Sequence, residues 1–562
     1  MPLTVMYPRT IAGAPLTVLD QTPGGTASNY GPILSGMPGP FQVGAGSYPI
    51  TSNVTITQPL QFCIGARLVI ASGVTLTINA HIDADWYQQI FDTSASNASV
   101  VGTFGNSSIS PGWWGAVPNG HPNGSGTNNL KAFQECLRAR HRSDSVAARV
   151  FVPAGRWLIE GPAAAAVPGL AAAGLLQLYP GDCMTGEGWD SCAIIVGNTS
   201  SGNVISVGAP NTQGPPSEVG GFMLVAEVGG AFSCNGLMVY ANGAQVRDVW
   251  ISGFSTGLRL DSTDQFARNF VVEHCSEGLR VQRGGTTVSD GEVFLCGNAI
   301  IIEHQDNQGI TVMDNVRVVG RDQAQSGGLG IVVTGTTTKA QIINCAVEGQ
   351  FLTLGYWLVN TPWTQLTNCS AKMYGNADGL RIEAASGVLV ENFQAEVYDG
   401  TPSSNKGIAV INNSGTVSIT GGRVRNFWYG AYNETAGDTV CYTGLIANGN
   451  RFRGMHTERC TTLNVVGGSY SYNSGAGSND CGIFGLISAA ADVHLYTGVL
   501  AVNGGAATQD YGIRYQINVV GARVRISGAA AAMNNTTAQV TAAGGTYTAA
   551  PQFVVGAEVV TA

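Results

Sequence analysis

Three stretches decide the fold: Asn344-Cys345-Ala346-Val347-Glu348, Asn368-Cys369-Ser370-Ala371-Lys372 and Asn392-Phe393-Gln394-Ala395-Glu396. Each opens on Asn, a residue that tolerates the left-handed conformation of a one-residue corner. The next four residues alternate as a strand does. Cys345, Val347, Cys369, Ala371, Phe393 and Ala395 are assigned inward, and the residues between them outward. The same corner recurs at Asp248, Asn269, Asp290 and Asn315.

A second phrase, Gly followed by alternating apolar residues, surrounds these corners. It starts at Gly236, Gly257, Gly278, Gly297, Gly330, Gly355, Gly379, Gly407, Gly430, Gly482 and Gly512, mostly 19 to 33 residues apart. That spacing is the range of stacked single-turn units. The phrase is too short for a helix, which excludes helical solenoids. A propeller would need four antiparallel strands per blade of roughly 40 residues. Three short strands per turn, coiled in parallel, give an all-β parallel β-helix of ten or more turns over residues 201–527.

Composition agrees. There are 77 Gly in 562 residues, about twice the usual ~7%. Charged residues make up 11%, less than half of the ordinary ~25%. A hydrophobic content of 44% excludes disorder. The longest uncharged run, Gly161 to Leu176, is broken by Pro162 and Pro168, so it cannot span a membrane as a helix. A net charge of −9, with only four Lys, leaves no basic stripe for nucleic acid. The twelve Cys lack metal-ligand spacing and read as buried thiols, with Cys183–Cys192 the one pair placed to bridge a loop. Neither a metal nor a cofactor is expected. The opening MPLTVMYPRT lacks the basic start and apolar run of a secretory signal, although the Ser/Thr/Asn-rich surface suits an extracellular protein.

The N-terminal part is organised differently. Residues 1–110 carry short strands, read either as a small β segment for attachment or as first turns. In 111–200, Asn128 or Asn129 is placed to cap a helix running to about Arg142, with Leu130, Phe133 and Leu137 on one face. Such a helix is expected to cover an open end of the solenoid. Ala163 to Gly174 reads as a loop, and the Ala/Thr/Gly-rich 528–562 as a tail with one strand, Gln552 to Val560.

The segment Trp113-Trp114-Gly115-Ala116-Val117-Pro118-Asn119-Gly120, followed by Leu130-Lys131-Ala132-Phe133-Gln134, resembles the opening signature of pectate-lyase-superfamily β-helices. That signature is found in many bacteriophage tailspikes and capsule depolymerases. This chain departs from it with Asn119 and Asn128-Asn129 where Asp is common. The resemblance implies a right-handed parallel β-helix assembled as a homotrimer. It implies a virion tail protein made in the bacterial host cytoplasm and joined to phage tail or baseplate proteins. Its partner would be a capsule or O-antigen polysaccharide, bound and often cleaved. Catalytic residues do not follow from it, because they vary among such spikes.

Glycoside hydrolysis uses two carboxylates roughly 5 Å apart for retention or ~6.5–9.5 Å apart for inversion. Turns of a β-helix, ~4.8 Å apart, act as a ruler. The outward position four residues past the corner reads Ser252, Glu273, Phe294, Val319, Glu348, Lys372, Glu396, Arg425. Glu348 and Glu396, two turns apart, with Asp399 just beyond, are the candidate catalytic carboxylates. Arg423, Arg425, Trp363, Tyr398, Trp428 and Tyr429 are candidate sugar contacts. The competing reading is that Glu348, Lys372, Glu396 and Arg425 form an ion-pair ladder of alternating sign. Glu273 and Glu292 are the next outward acids. An endoglycosidase tailspike is the leading expectation. A polysaccharide lyase and a non-catalytic adhesive spike are the alternatives. Gly253 to Gly257 fits a nucleophile-elbow pattern, but a strand rather than a helix is expected after it.

Overall fold

The corner residues set the architecture. Asp248, Asn269, Asp290, Asn315, Asn344, Asn368 and Asn392 all hold φ between 51° and 54°. Directly after them Cys345 and Cys369 are each 1% exposed, so the inward and outward assignments hold as read. The computed structural model describes residues 17–19, 28–36, 40–140, 149–162, 174–208, 215–227, 234–307, 309–320, 328–349, 352–399, 403–412, 415–434, 439–473, 481–487, 492–501, 511–517, 523–527, 538–544, 552–555 and 558–561. The chain divides into two units, Met1–Trp250 and Ile251–Ala562.

In the second unit each turn contributes up to three strands. The Gly-led strands pair in parallel from Thr256–Leu260 through Glu277–Val281, Asn298–Glu303, Gly328–Thr334 and Leu352–Val359 to Ala538–Gly544. Their inward residues Leu258, Leu279, Ile300, Ile331, Tyr356, Leu380 and Ile408 are stacked by register. Two further strands per turn flank each corner, as in Trp363–Thr367 and Ser370–Tyr374. Glycine leads the first strand because of close approach. A Cβ on Gly355 would lie 2.5 Å from the Gly379 carbonyl oxygen, and one on Gly379 2.6 Å from that of Gly407.

Register corrects two details of the repeat. Ile300 pairs with Leu279, so Ala299, not Gly297, occupies the glycine position of that turn. A further turn opens at Gly454, where Met455 pairs with Ala431 and Ile483. Its phrase is masked in the sequence by a polar inward pair, in which Asn433 Nδ2 donates to Thr457 Oγ1 at 3.1 Å. The strand Thr256–Leu260 does follow Gly253, so the nucleophile-elbow match has no helix. At the C-terminus, Gln552–Val555 and Glu558–Thr561 form an antiparallel pair instead of one strand.

In the first unit short parallel strands also stack in three columns. Examples are Gly46–Ile50, Ala66–Ile70 and Phe91–Asp92 in one, and Val54–Ile56, Thr75–Ile78 and Ser99–Val101 in another. The helix runs from Leu130 to Arg140, with Phe133, Cys136 and Leu137 buried. It packs against the strands Ser99–Val101 and Gly174–Leu178 of this unit. Asn128 Oδ1 accepts from the amides of Leu130 and Glu160, each at 3.1 Å. Asn129 accepts from Val117 N at 2.7 Å and donates to Val117 O at 3.0 Å. An ionised Asp only accepts, so Asn at this departure from the family pattern serves both ends of the Val117 peptide. Cys183 and Cys192 are free thiols, as are the other ten Cys. Most of the Ala163 to Gly174 stretch, residues 163–173, lies outside the described residues. Among the described residues no helix is long and apolar enough to cross a membrane, and no group of His, Cys, Asp and Glu is placed to hold a metal.

The Asn side chains form a ladder on the outside of the corner. Asn392 Nδ2 donates to Asn368 Oδ1 at 2.9 Å, and Asn368 Nδ2 to Asn344 Oδ1 at 3.4 Å. Asn368→Val should therefore cost ~1–3 kcal/mol through left-handed strain and lost hydrogen bonds. Asn368→Gly, which keeps the conformation, should cost less; denaturant titration of the three proteins measures both.

Later turns carry polar groups in the core. His494 Nε2 donates to the Cys460 carbonyl at 2.9 Å, and its Nδ1 faces the Tyr515 hydroxyl at 3.0 Å. Burial lowers its pKa to about 4. The unfolded chain therefore binds this proton at a higher pH than the folded one does. Stability should fall as pH drops from about 6.5 to 4, by on the order of 3 kcal/mol from this residue. Denaturant titrations at pH 7 and 4.5 should show a smaller loss for His494→Asn than for the unsubstituted protein.

Candidate functional site

The outward column past the corner is as the alternation places it. Glu273 pairs with Phe294, Phe294 with Val319 and Val319 with Glu348. Glu348 pairs with Lys372, Lys372 with Glu396 and Glu396 with Arg425. The neighbouring outward column reads Glu292, Arg317, Ala346, Ser370, Gln394, Arg423. Its small and polar members leave a shallow groove of about 230 Å³ lined by Ser370, Lys372, Gln394, Glu396, Arg423 and Arg425.

The groove holds three cations and one acid, and ion pairs run in and beside it. Arg425 lies 2.5 Å from Glu396, while Arg317 bridges Glu292 at 3.0 Å and Glu348 at 3.4 Å. Lys372 Nζ sits 4.4 Å from the ring centre of Tyr398, which is 64% exposed and tilted 5.8 Å from Tyr374. Both carboxylates proposed as an acid–base pair thus face an arginine. Of the alternating column, the Glu396–Arg425 step is an ion pair, while Glu348 is paired instead with Arg317 of the neighbouring column. Asp399 ends the strand Gln394–Asp399, and its side chain lies outside the described set. Of the candidate sugar contacts, Tyr398, Arg423 and Arg425 share this face. Trp363 stands on the strand before the corner, and Trp428 and Tyr429 stand at the Gly-led strand.

That Gly-led face carries a cluster that the sequence reading did not single out. Tyr429 pairs with Arg453, Tyr432 with His456 and Glu434 with Glu458. The rings of Tyr432, His456 and Phe484 follow one another at 5.1 Å steps, and Tyr429 lies 5.0 Å from His456. Trp428 stacks on Phe452 at 5.3 Å. The Arg453 guanidinium lies 3.7 Å from the Phe484 ring centre and donates to His456 Nδ1. Guanidinium has no acceptor, so Nδ1 is unprotonated and Nε2–H donates to Glu458 Oε1, at 2.6 Å. Burial holds the His456 pKa down against the pull of Glu458. The hydrogen bond from His456 in turn lowers that of Glu458. Tyr432 donates to Glu434 Oε2 at 3.0 Å, and burial together with the Glu458 and Glu434 carboxylates raises its own pKa. The available signal was the Gly454 turn, hidden by Thr457 in the core.

A larger groove, about 670 Å³, lies in the first unit beside the helix. Its lining includes Thr75, Ser96, Lys131, Arg138 and Gln177, and the acid there, Glu135, faces Arg138 at 3.5 Å. It contains none of the candidate site residues.

By fold, the chain is a long parallel β-solenoid of the kind shared by phage tailspikes and glycan-active β-helix enzymes. The tailspike protein of E. coli bacteriophage HK620, solved with a pentasaccharide, is similar over 73% of this chain and 78% of its own, at 13% identity and a TM-score of 0.50. The catalytic unit of a GH87 alpha-1,3-glucanase from Streptomyces thermodiastaticus strain HF3-3 aligns over 66% and 69%, at 16% identity and a TM-score of 0.39. No family model and no curated protein matches the sequence. These likenesses are of fold.

If Glu396 serves the ladder, Glu396→Gln should cost at most ~1 kcal/mol, as for exposed pairs. Thermal unfolding measures this, and any polysaccharide cleavage should stay within about threefold, against the ~10²–10⁴-fold loss of a general acid or base.

Proposed function

We propose that this protein is a phage tailspike that binds a bacterial capsule or O-antigen polysaccharide and cleaves it as an endoglycosidase. The observation that carries this reading is the outward groove on the second unit. There an exposed aromatic, Tyr398, stands beside Lys372 and the arginines Arg423 and Arg425. Flat rings with polar tips suit sugar faces, and guanidinium groups suit acidic sugars. The fold likeness to a phage tailspike supports the same reading.

In this reading Arg423, Arg425 and Tyr398 contact the glycan, while Glu396 holds Arg425 in place and Glu348 holds Arg317. The protein works as a homotrimer on the virion tail, attached to tail or baseplate proteins. Few charges oppose packing of one chain against another, since only 11% of residues are charged.

The function is tested on a panel of purified bacterial capsular and O-antigen polysaccharides. New reducing ends without ultraviolet absorbance are expected. An absorbing unsaturated product would select a lyase, and binding without shortening would select an adhesive spike. Multi-angle light scattering at micromolar concentration should return three times the chain mass; a monomer would overturn the assembly.

A further inference from the structure

We propose that Glu434 and Glu458 are the catalytic carboxylates of a retaining glycosidase site on the Gly-led face of the second unit. Tyr429 and Tyr432 supply its ring surface. The assignment rests on the cleavage reading above, and it moves the chemistry away from the Glu348–Glu396 column.

Register is the first argument. Glu434 and Glu458 occupy the same outward position on adjacent turns, so their backbones are ~4.8 Å apart. A one-turn offset is the register step closest to the roughly 5 Å between carboxyl groups used for retention. Glu348 and Glu396 are two turns apart with Lys372 between them.

The partners of the two acids are the second argument. Among the described residues, no arginine pairs with Glu434 or Glu458 in the way that Arg425 pairs with Glu396. Glu458 accepts from a neutral imidazole whose tautomer is set by Arg453, an arrangement that keeps this carboxylate ionised and aimed. Glu434 Oε2 accepts from the Tyr432 hydroxyl at 3.0 Å. Both acids are partly exposed, whereas His456 and Arg453 beneath them are buried.

Glu458, held ionised by the hydrogen bond from His456, takes the nucleophile's role, which leaves the acid's role to Glu434. A Glu458 oxygen forms a bond to the anomeric carbon as the glycosidic C–O bond breaks. Its electron pair goes to the leaving oxygen, which takes the proton from Glu434. Water then attacks the anomeric carbon, giving its proton to the Glu434 carboxylate as the Glu458 ester bond breaks. The acid is regenerated, and the anomeric configuration is restored by two inversions. The rings of Tyr429 and Tyr432 offer the adjacent sugar an apolar face, and Lys406, 5.3 Å from the Tyr432 ring, offers a donor to its hydroxyls.

The test uses the full chain and the polysaccharide panel described above. With a cleaved polysaccharide, proton NMR of the first product should show the same anomer as the linkage that was cut. Glu434→Gln and Glu458→Gln should each lower the release of reducing ends by ~10²–10⁴-fold, while thermal unfolding and polysaccharide binding stay near those of the unsubstituted protein. Inverted product, or cleavage within tenfold in either variant, would overturn the assignment and leave the depolymerase reading standing. A variant that loses cleavage only because it unfolds would be seen in the melt, and the product anomer of the unsubstituted protein then decides. If the unsubstituted protein shortens none of the polysaccharides, or yields the unsaturated product, both readings fall together.

Discussion

A single residue per turn, held left-handed between two strands, is the constraint on which the rest depends. Non-glycine residues enter that region at a cost, with Asn and Asp most tolerant. Here the cost is offset in part by amide side chains that bond from turn to turn, as Asn392 does to Asn368. Once the corner is fixed, strand alternation leaves no freedom. Cys345 and Cys369 fall inside, where burial pushes their thiols up to about 12 and about 11. Glu348 and Lys372 fall outside, opposite each other. A shift of one residue would exchange every member of the core with every member of the groove.

This is why the second unit was so legible in sequence. The corner residues and the glycines are each required by backbone geometry or close approach, so they recur whatever surrounds them. Legibility ended where a turn satisfied its core by other means. The Gly454 turn buries Thr457 against Asn433, and Asn433 accepts from Tyr442 at 2.7 Å. Such a turn carries no apolar alternation to find. Ala299 in a glycine position shows the converse, a turn whose spacing misleads by two residues. The first unit was read less completely, since several of its early strands have only two or three residues and give alternation little length in which to show.

The candidate site was legible only in part, for a related reason. Periodicity identified which residues face outward, but not which outward residues pair. Glu396 and Arg425 alternate in sign along one column, and in the structure they meet. Trp428 and Tyr429 are close in sequence to Arg425, yet they belong to another face because the strand direction changes between them. Proximity along the chain and proximity in space part company at every corner of a solenoid.

The two faces differ in a way that stability alone does not explain. An alternating column gains a little at each step, as between Arg317 and its two glutamates. A column with like charges on adjacent turns loses at that step, and Glu434 over Glu458 is such a step. Donors at Tyr432 and His456 reduce the repulsion, but setting the His456 tautomer buries Arg453 as well. Two carboxylates on adjacent turns, each with its own hydrogen-bond donor and beside a row of rings, are what the proposed glycosidase site would use.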